Sequence, residues 1–547
     1  QGPVRGYKHP DYEVFVFRSI PYATAPTGRD RYKAPLPPRN WTEPFEAVAQ
    51  GIICPQGTAI GANEDCLITN VYVPDTLETN LPVMVTVHGG AFQVGAGDDE
   101  PQANLVDSKK MIVVNFNYRL GVHGFLCLGN EEAPGNAGMK DQVALLRWVQ
   151  RNIAAFGGNP NDVTLCGCSA GGASVDLLRL SSSTSGLFNK AIVGSGGNAG
   201  SFGIQNDPLE NAKEYARLLN FEDADDLAAL TEFYTTSSLE TVFSKSHLAS
   251  NRPDSTVLWA PCVENDLGIE RFLEEAPVTI LKKGEHSQVP ILYGFAEHEG
   301  IIRVPFFQNW RNMMNDQFSD FLPGDLKFSS VEEKEQVARR VKEFYFGNET
   351  VHEGNILRYI DLFTDMLFGY TMLRSVKLNA EYGSSTIYLY EFSFADENSM
   401  MIPHANIRGV PHCMQFMIFG DQDETGITPE RRHVMTAMRK MIQDFVTTGN
   451  PVSEDSTLSV WPAANAIRAP HMNLDYQSEL RGPLHQERAE LWDSIYEAHY
   501  RTPIPPGTPD TDEDDDDDDG DDNENGASVL SISILSIVYA MVLILIH

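Results

Sequence analysis

The chain has 547 residues and a formal net charge of −35 at pH 7, with 42% hydrophobic residues. Such acidity argues against a nucleic-acid partner, because polyanions repel an acidic surface. A length prior of about 150 residues per domain allows several domains, although a single α/β domain can run far longer.

Buried strands and helical runs alternate along the chain. The segment from about 300 to 385 is predicted to be helical and loop-rich. The alternation predicts one large α/β sheet with helices packed on it. Strands are predicted at 82–88, 111–117, 162–167, 189–194, 289–294 and 386–391, and helices at 139–155, 171–180, 331–346, 430–447 and 485–498.

A run of small residues follows the first predicted strand. The strand 82–88 leads directly into Gly89, Gly90 and Ala91. Consecutive small residues leave several backbone N–H groups free to point at one place, as the oxyanion hole of an acyl-transfer enzyme requires. We expect the N–H groups of Gly90 and Ala91 to take this role, with a plain tight turn as the alternative.

A single serine stands between a predicted strand and a predicted helix. The sequence around Ser169 is Gly-Cys-Ser-Ala-Gly, which matches the G-x-S-x-G nucleophile elbow in its strand–turn–helix context. A sharp turn exposes the hydroxyl for attack, and the N–H of Ala170 at the helix start can bind an oxyanion. The alternative is that Ser169 only caps the helix.

Further motifs in the same order make the chain resemble the type-B carboxylesterase and cholinesterase family over about residues 1 to 500. The resemblance implies an α/β-hydrolase fold with a large, mixed, mostly parallel sheet, helices on both faces and a helical cap. The segment from about 300 to 385 is expected to form part of this cap, beside the active-site gorge. The resemblance also implies carboxylic-ester hydrolysis, which needs neither metal nor cofactor. The motifs are Ile20-Pro21-Tyr22-Ala23, Glu64-Asp65-Cys66-Leu67, Asn70-Val71-Tyr72, His88-Gly89-Gly90-Ala91-Phe92, Asn117-Tyr118-Arg119-Leu120-Gly121, Asn136-Ala137-Gly138-Met139-Lys140-Asp141-Gln142 and the run from Asn152 to Pro160.

The resemblance implies a Ser–Glu–His triad in that chain order. Ser169 is the nucleophile, and the acid is Glu299, whose Glu-Gly pair matches the family better than its competitor Glu297. The base is His412, which precedes an aromatic-rich segment as the family pattern requires. Its nearest rival is His404.

Ser195 resembles a family serine that supports the acid, with a simple turn serine as the alternative. Two positions depart from the family pattern. Cys168 stands before the nucleophile, where cholinesterases usually have Glu, and Cys413 follows the base. We expect Cys168 to be a buried, inert thiol rather than a redox-active one.

The substrate class follows from a missing aromatic residue. Cholinesterases place a Trp in the loop closed by their first disulfide, where its face attracts a quaternary ammonium. The corresponding loop here, between Cys54 and Cys66, contains no aromatic residue. We therefore expect carboxylesterase-like specificity, for a small neutral ester with a mostly apolar body.

Cysteines and sequons indicate the compartment. The resemblance implies a Cys54–Cys66 disulfide and hence an oxidising, extracellular environment. N-glycosylation sequons begin at Asn40 and Asn348, and the chain starts with Gln rather than Met, as a signal-processed product would. The remaining cysteines are expected to be free thiols: Cys127, Cys166, Cys168, Cys262 and Cys413.

The C-terminal residues have a different composition. Residues 501–525 are rich in Pro and Asp, with twelve acidic residues between Asp510 and Glu524, and are expected to form a disordered stalk. Residues 526–547 are apolar and predict a GPI-anchor signal with attachment at Asn525 or Gly526. A transmembrane segment is the alternative; either one ties the protein to the outer membrane surface.

Two functions remain open. The first is a membrane-tethered serine esterase. The second is a cell-surface adhesion or receptor module, since the family includes proteins that kept the fold and lost the chemistry. The presence of Ser169, Glu299 and His412 together favours the esterase.

Overall fold

The computed structural model describes residues 1–57, 63–99, 102–245, 252–454, 456, 458 and 460–508. Within this part of the chain, eleven strands form one sheet in the order β13-β12-β11-β10-β9-β8-β6-β7-β5-β3-β2. Two further strands, β1 and β4, pair in a small separate sheet. The strands are β1 (Val4–Arg5), β2 (Tyr7–Lys8), β3 (Val14–Pro21), β4 (Phe45–Glu46), β5 (Ile68–Pro74), β6 (Leu81–Val87), β7 (Ile112–Phe116), β8 (Gly158–Cys168), β9 (Lys190–Gly194), β10 (Ile291–Ala296), β11 (Ile387–Phe392), β12 (His471–Leu474) and β13 (Glu479–Arg481).

The sheet is mixed, with a parallel centre. Neighbouring strands from β12 through to β7 pair in parallel, while β13, β5, β3 and β2 pair antiparallel at the two sides. The six strands predicted from the sequence all lie next to one another in the parallel centre. The predicted α/β fold with a mostly parallel sheet is confirmed.

Helices cover both faces of the sheet because its central strands are buried on both sides. In β8, Val163 and Leu165 belong to one apolar cluster, whereas Cys166 and Cys168 belong to a second. Helix α14 packs into the second cluster, and α3, α4, α12 and α15 contribute to the first. The helices are α1 (Ala103–Asp107), α2 (Gly121–Phe125), α3 (Ala137–Asn152), α4 (Ala170–Leu178), α5 (Pro208–Leu218), α6 (Leu227–Thr236), α7 (Leu239–Val242), α8 (Pro277–Lys283), α9 (Phe307–Asp316), α10 (Val331–Phe346), α11 (Ile356–Thr364), α12 (Tyr370–Tyr382), α13 (Met414–Met417), α14 (Pro429–Thr448) and α15 (Gln486–His499).

The segment between β10 and β11 is helical and loop-rich, as expected. It contains α9 to α12, and a π-helical turn at Asp365–Gly369 joins α11 to α12. Such turns inside a helix occur frequently at functional sites. This turn carries Phe368, which contacts the candidate active site described below.

Three disulfides cross-link the described residues. Cys54 is bonded to Cys66, the pair that the resemblance implies. The prediction that Cys127, Cys168, Cys262 and Cys413 are free is wrong, because Cys127 is bonded to Cys262 and Cys168 to Cys413. These partners lie 135 and 245 residues apart in sequence, and the folded sheet brings them together. Cys166 remains a buried thiol.

The disulfides and sequons agree with an extracellular protein. Disulfides persist in oxidising compartments and are rare in the cytosol. The asparagines of both sequons, Asn40 and Asn348, are exposed and accessible to a glycosyltransferase.

The C-terminal predictions fall mostly outside the described residues. Residues 501–508, the start of the predicted stalk, belong to the same compact unit as the body. There, the guanidinium of Arg501 makes two hydrogen bonds of 2.6 Å to Asp207. Asn525, Gly526 and the apolar tail lie outside the described residues. Among the helices of the described part, none is long and apolar enough to cross a bilayer.

Candidate active site

Ser169 occupies a strained turn between β8 and α4. Its backbone has φ 60° and ψ −130°, a region that residues other than glycine rarely adopt. The turn is held on both sides, because the Ser169 N–H donates to the Gly194 carbonyl at 2.9 Å and its own carbonyl accepts from the Ala173 N–H at 2.9 Å. The side chain of this predicted nucleophile is partly exposed. Backbone strain of this kind is characteristic of nucleophile elbows.

Glycines around the elbow allow neighbouring backbone to approach closely. A Cβ on Gly171 would lie 2.1 Å from the Val87 carbonyl oxygen, and one on Gly196 would lie 2.2 Å from that of Ser169. Both distances are far below van der Waals contact. Strand β6 and the segment that follows β9 can therefore pack against the turn only because these positions lack side chains.

The predicted oxyanion loop lies directly against the elbow. A Cβ on Gly89 would be 3.1 Å from the Ser169 Cβ. The next residues, Gly90 and Ala91, have φ of 106° and 54°, which turns the peptide units of this loop. Within the described residues, the N–H groups of Gly90, Ala91 and Ala170 donate to no protein acceptor. These amides are thus available to a ligand, and their role as an oxyanion hole stays a prediction.

Buried polar contacts hold this loop in place. His88 stacks on Tyr118 with ring centroids 4.3 Å apart, and the Tyr118 hydroxyl donates to the His88 carbonyl at 2.9 Å. Burial lowers the pKa of His88 to about 4, so its ring is neutral at pH 7. The Gly121 N–H donates to the Phe92 carbonyl at 2.7 Å. The loop is thereby fixed by the segment from Tyr118 to Gly121.

Glu299 and His412 are hydrogen-bonded to each other. The Nδ1–H of His412 donates to Oε2 of Glu299, whose side chain is fully buried. The other oxygen, Oε1, accepts from the Ala296 N–H at 2.7 Å and from the Ser195 hydroxyl at 2.5 Å. This arrangement fixes the imidazole ring and leaves its Nε2 atom for chemistry.

The two rival residues lie elsewhere. The side chain of Glu297 is 43% exposed, and its carboxylate is 3.5 Å from Nδ1 of His298. His404 is 38% exposed and lies 3.5 Å from the Glu353 carboxylate at the surface. Neither contacts the Glu299–His412 pair.

Three features beside His412 escaped the sequence analysis. The ring of Phe368 stacks on His412 at a centroid distance of 4.0 Å. The Gln415 side chain, fully buried, donates from Nε2 to the Ser195 hydroxyl at 2.6 Å. The Cys168–Cys413 disulfide links the residue before Ser169 to the residue after His412.

No metal site competes with this arrangement in the described part of the chain. Groups of three or more His, Cys, Asp or Glu side chains placed to hold an ion do not occur there. The chemistry of the candidate site is that of a serine, an imidazole and a carboxylate beside free backbone amides.

Comparison with known proteins decides the family. The model of the carboxylesterase family matches residues 1–492. The chain belongs to the carboxylesterase family. As a member of it, the protein is a carboxylic-ester hydrolase.

This carboxylesterase is similar to esterases of other organisms. It is 30% identical over 491 residues to juvenile hormone esterase of Heliothis virescens, covering 83% of this chain and 85% of the relative. It is 29% identical over 475 residues to esterase FE4 of Myzus persicae, covering 83% of each chain. The crystal structure of juvenile hormone esterase from Manduca sexta superimposes with a TM-score of 0.79 at 28% identity, over 91% of this chain and 97% of that one.

Proposed function

We propose that this carboxylesterase works through a Ser169–His412–Glu299 triad and a covalent acyl-enzyme. Ser169 attacks the ester carbonyl, and Nε2 of His412 accepts its proton. Glu299 orients the imidazole through Nδ1 and stabilises its charged form. The N–H groups of Gly90, Ala91 and Ala170 bind the oxyanion.

The second half of the reaction reuses the same groups. The His412 imidazolium gives its proton to the departing alkoxide, and the alcohol leaves. His412 then takes a proton from water, whose oxygen attacks the acyl-enzyme carbonyl. Collapse of this second tetrahedral intermediate releases the acid and returns the proton to Ser169.

The observation that carries the proposal is the buried Glu299–His412 hydrogen bond beside a strained serine elbow. The Manduca sexta juvenile hormone esterase structure offers a parallel, since it is described with OTFP covalently attached. We further propose neutral esters with a mostly apolar body as substrates. The loop between Cys54 and Cys66 supplies no aromatic face for a quaternary ammonium.

The proposal is tested by hydrolysis of p-nitrophenyl esters of increasing acyl length. We expect saturable turnover with an optimum that reports the size of the acyl pocket, and weak turnover of choline esters. A fluorophosphonate probe should abolish turnover and label the peptide containing Ser169, detected by mass spectrometry. Absence of both turnover and labelling would instead favour the adhesion or receptor function.

We also propose that the protein is attached to the outer cell surface through a GPI anchor near Asn525 or Gly526. The small residues and apolar tail at 526–547 support this. Phosphatidylinositol-specific phospholipase C should release esterase activity from intact expressing cells. A chain ending at residue 508 should be secreted without treatment and serves as the control. Activity that resists the lipase would point to a transmembrane segment.

A further inference from the structure

The Cys168–Cys413 disulfide joins the immediate neighbours of the proposed nucleophile and base. Cys168 precedes Ser169 at the end of β8, and Cys413 follows His412, 245 residues later in sequence. Their Cα atoms are 6.1 Å apart. The cross-link therefore holds together two backbone segments that are distant in sequence, one beside Ser169 and one beside His412.

Both ends of this cross-link adjoin strained backbone. Ser169 has φ 60° and Cys413 has φ 61°, values in the left-handed region that non-glycine residues rarely adopt. Conformations of this kind persist only where surrounding structure enforces them. The disulfide provides such enforcement for the loop that presents the His412 ring.

Polar contacts connect the disulfide to the Glu299–His412 pair. Nε2 of Gln415 lies 4.0 Å from Sγ of Cys168 and donates to the Ser195 hydroxyl at 2.6 Å. Ser195 donates in turn to Glu299, which accepts from His412. The loop carrying His412 is thus held at the disulfide, at Gln415 and at Glu299.

The sulfur of Cys413 also faces the reactive nitrogen of the base. Sγ of Cys413 lies 3.6 Å from Nε2 of His412. A disulfide sulfur carries no hydrogen and cannot donate to this nitrogen, whereas a thiol can. The oxidised form therefore leaves Nε2 available to the Ser169 hydroxyl.

This disulfide is also more accessible than the other two. Cys54, Cys66, Cys127, Cys262 and Cys168 are each at most 1% exposed. Cys413 is partly exposed at the candidate active site. A small reductant can therefore approach the Cys413 sulfur.

We propose that the Cys168–Cys413 disulfide is a positioning cross-link for the triad, so that its reduction inactivates the folded enzyme. The inference rests on the proposed function. A dithiol reductant attacks Cys413 Sγ as thiolate, the S–S bond breaks and Cys168 leaves as thiolate. The second thiol of the reductant then displaces Cys413 and forms the cyclic disulfide. Two electrons and two protons pass to the protein, which gains two thiols.

The test compares native protein before and after mild treatment with dithiothreitol. We expect kcat for p-nitrophenyl acetate to fall by up to about 100-fold, the scale expected for misplacing a catalytic group by 1 Å. KM should change little, and circular dichroism should stay native. Mass spectrometry of alkylated protein should find new thiols at Cys168 and Cys413, and reoxidation should restore kcat. Unchanged kcat in protein alkylated at both cysteines would overturn the proposal.

Variants distinguish the effect of losing the cross-link from the effect of placing a thiol beside His412. Cys168→Ala leaves a Cys413 thiol beside Nε2 and should lose more kcat than the Cys168→Ala/Cys413→Ala double variant, which has no thiol there. Cys127→Ala/Cys262→Ala is the matched control, since it removes a disulfide away from the triad and should keep kcat. A folded Cys168→Ala/Cys413→Ala protein with native kcat would overturn the proposal, even where reduction unfolds the native chain. Failure of the proposed function can be distinguished from failure of the cross-link proposal. If the proposed function were wrong, the untreated protein would already lack both turnover and fluorophosphonate labelling.

Discussion

Replacing Ser169 by Ala is expected to lower kcat for p-nitrophenyl esters by on the order of 10⁶-fold, the scale seen when a serine protease loses its nucleophile. Without the hydroxyl no acyl-enzyme forms, and the remaining backbone amides give only residual catalysis over water. Fluorophosphonate labelling should disappear in the same protein. Initial-rate kinetics and intact-mass spectrometry measure the two effects.

The Ser169→Ala protein should fold normally, because alanine keeps the Cβ and faces the same backbone strain as serine at φ 60°. Its unfolding midpoint in urea should match that of the unsubstituted protein. Ser182→Ala is a suitable control, since Ser182 is an exposed serine that bonds to Glu274 at the surface. Retention of turnover by Ser169→Ala would show that another residue is the nucleophile.

The sheet was predictable where strands are buried on both faces. Such strands are continuous apolar runs, and β6, β8 and β9 were placed within a few residues, apart from the first residues of β8. The antiparallel strands β3 and β5 were missed. In β3 the regular alternation is interrupted, because Ser19 has φ 57° and the pairing with β5 shifts register between Phe17 and Ile20. A window of sequence cannot show this irregularity.

At the candidate site, features set by adjacent residues could be predicted from the sequence, whereas features set by contacts between distant residues could not. The elbow around Ser169 and the glycine loop before it are short segments, so their geometry follows from adjacent residues. Glu299 and His412 came from the family resemblance, since they lie 113 residues apart. The stacking of Phe368 and the pairing of Cys168 with Cys413 depend on how distant segments pack. No spacing in the sequence encodes them.

Asp141→Ala is expected to lower the free energy of unfolding by about 3–5 kcal/mol, the usual cost of breaking a buried ion pair. Asp141 and Arg119 are both fully buried, and Arg119 makes two side-chain hydrogen bonds to the carboxylate, of 2.8 and 2.7 Å. Removing the carboxylate leaves the guanidinium charge uncompensated in the core. Urea unfolding followed by tryptophan fluorescence measures the loss.

Two comparisons establish the cause. The Arg119→Met/Asp141→Leu double variant should lose less stability than Asp141→Ala, because no unpaired charge stays buried. Glu232→Ala breaks an exposed ion pair, in which the side chain of Arg29 is 58% exposed and that of Glu232 is 60% exposed. This substitution should lower the free energy of unfolding by at most about 1 kcal/mol. Equal losses in all three proteins would contradict the buried-charge explanation.

Activity should fall together with stability in Asp141→Ala. Arg119 lies between Tyr118 and Gly121, which hydrogen-bond to the backbone of His88 and Phe92 on either side of the proposed oxyanion loop. Loosening this segment is therefore expected to displace the amides of Gly90 and Ala91, so that kcat decreases more than KM changes. An Asp141→Ala protein that is destabilised yet has native kcat under folding conditions would show that the ion pair supports the core alone.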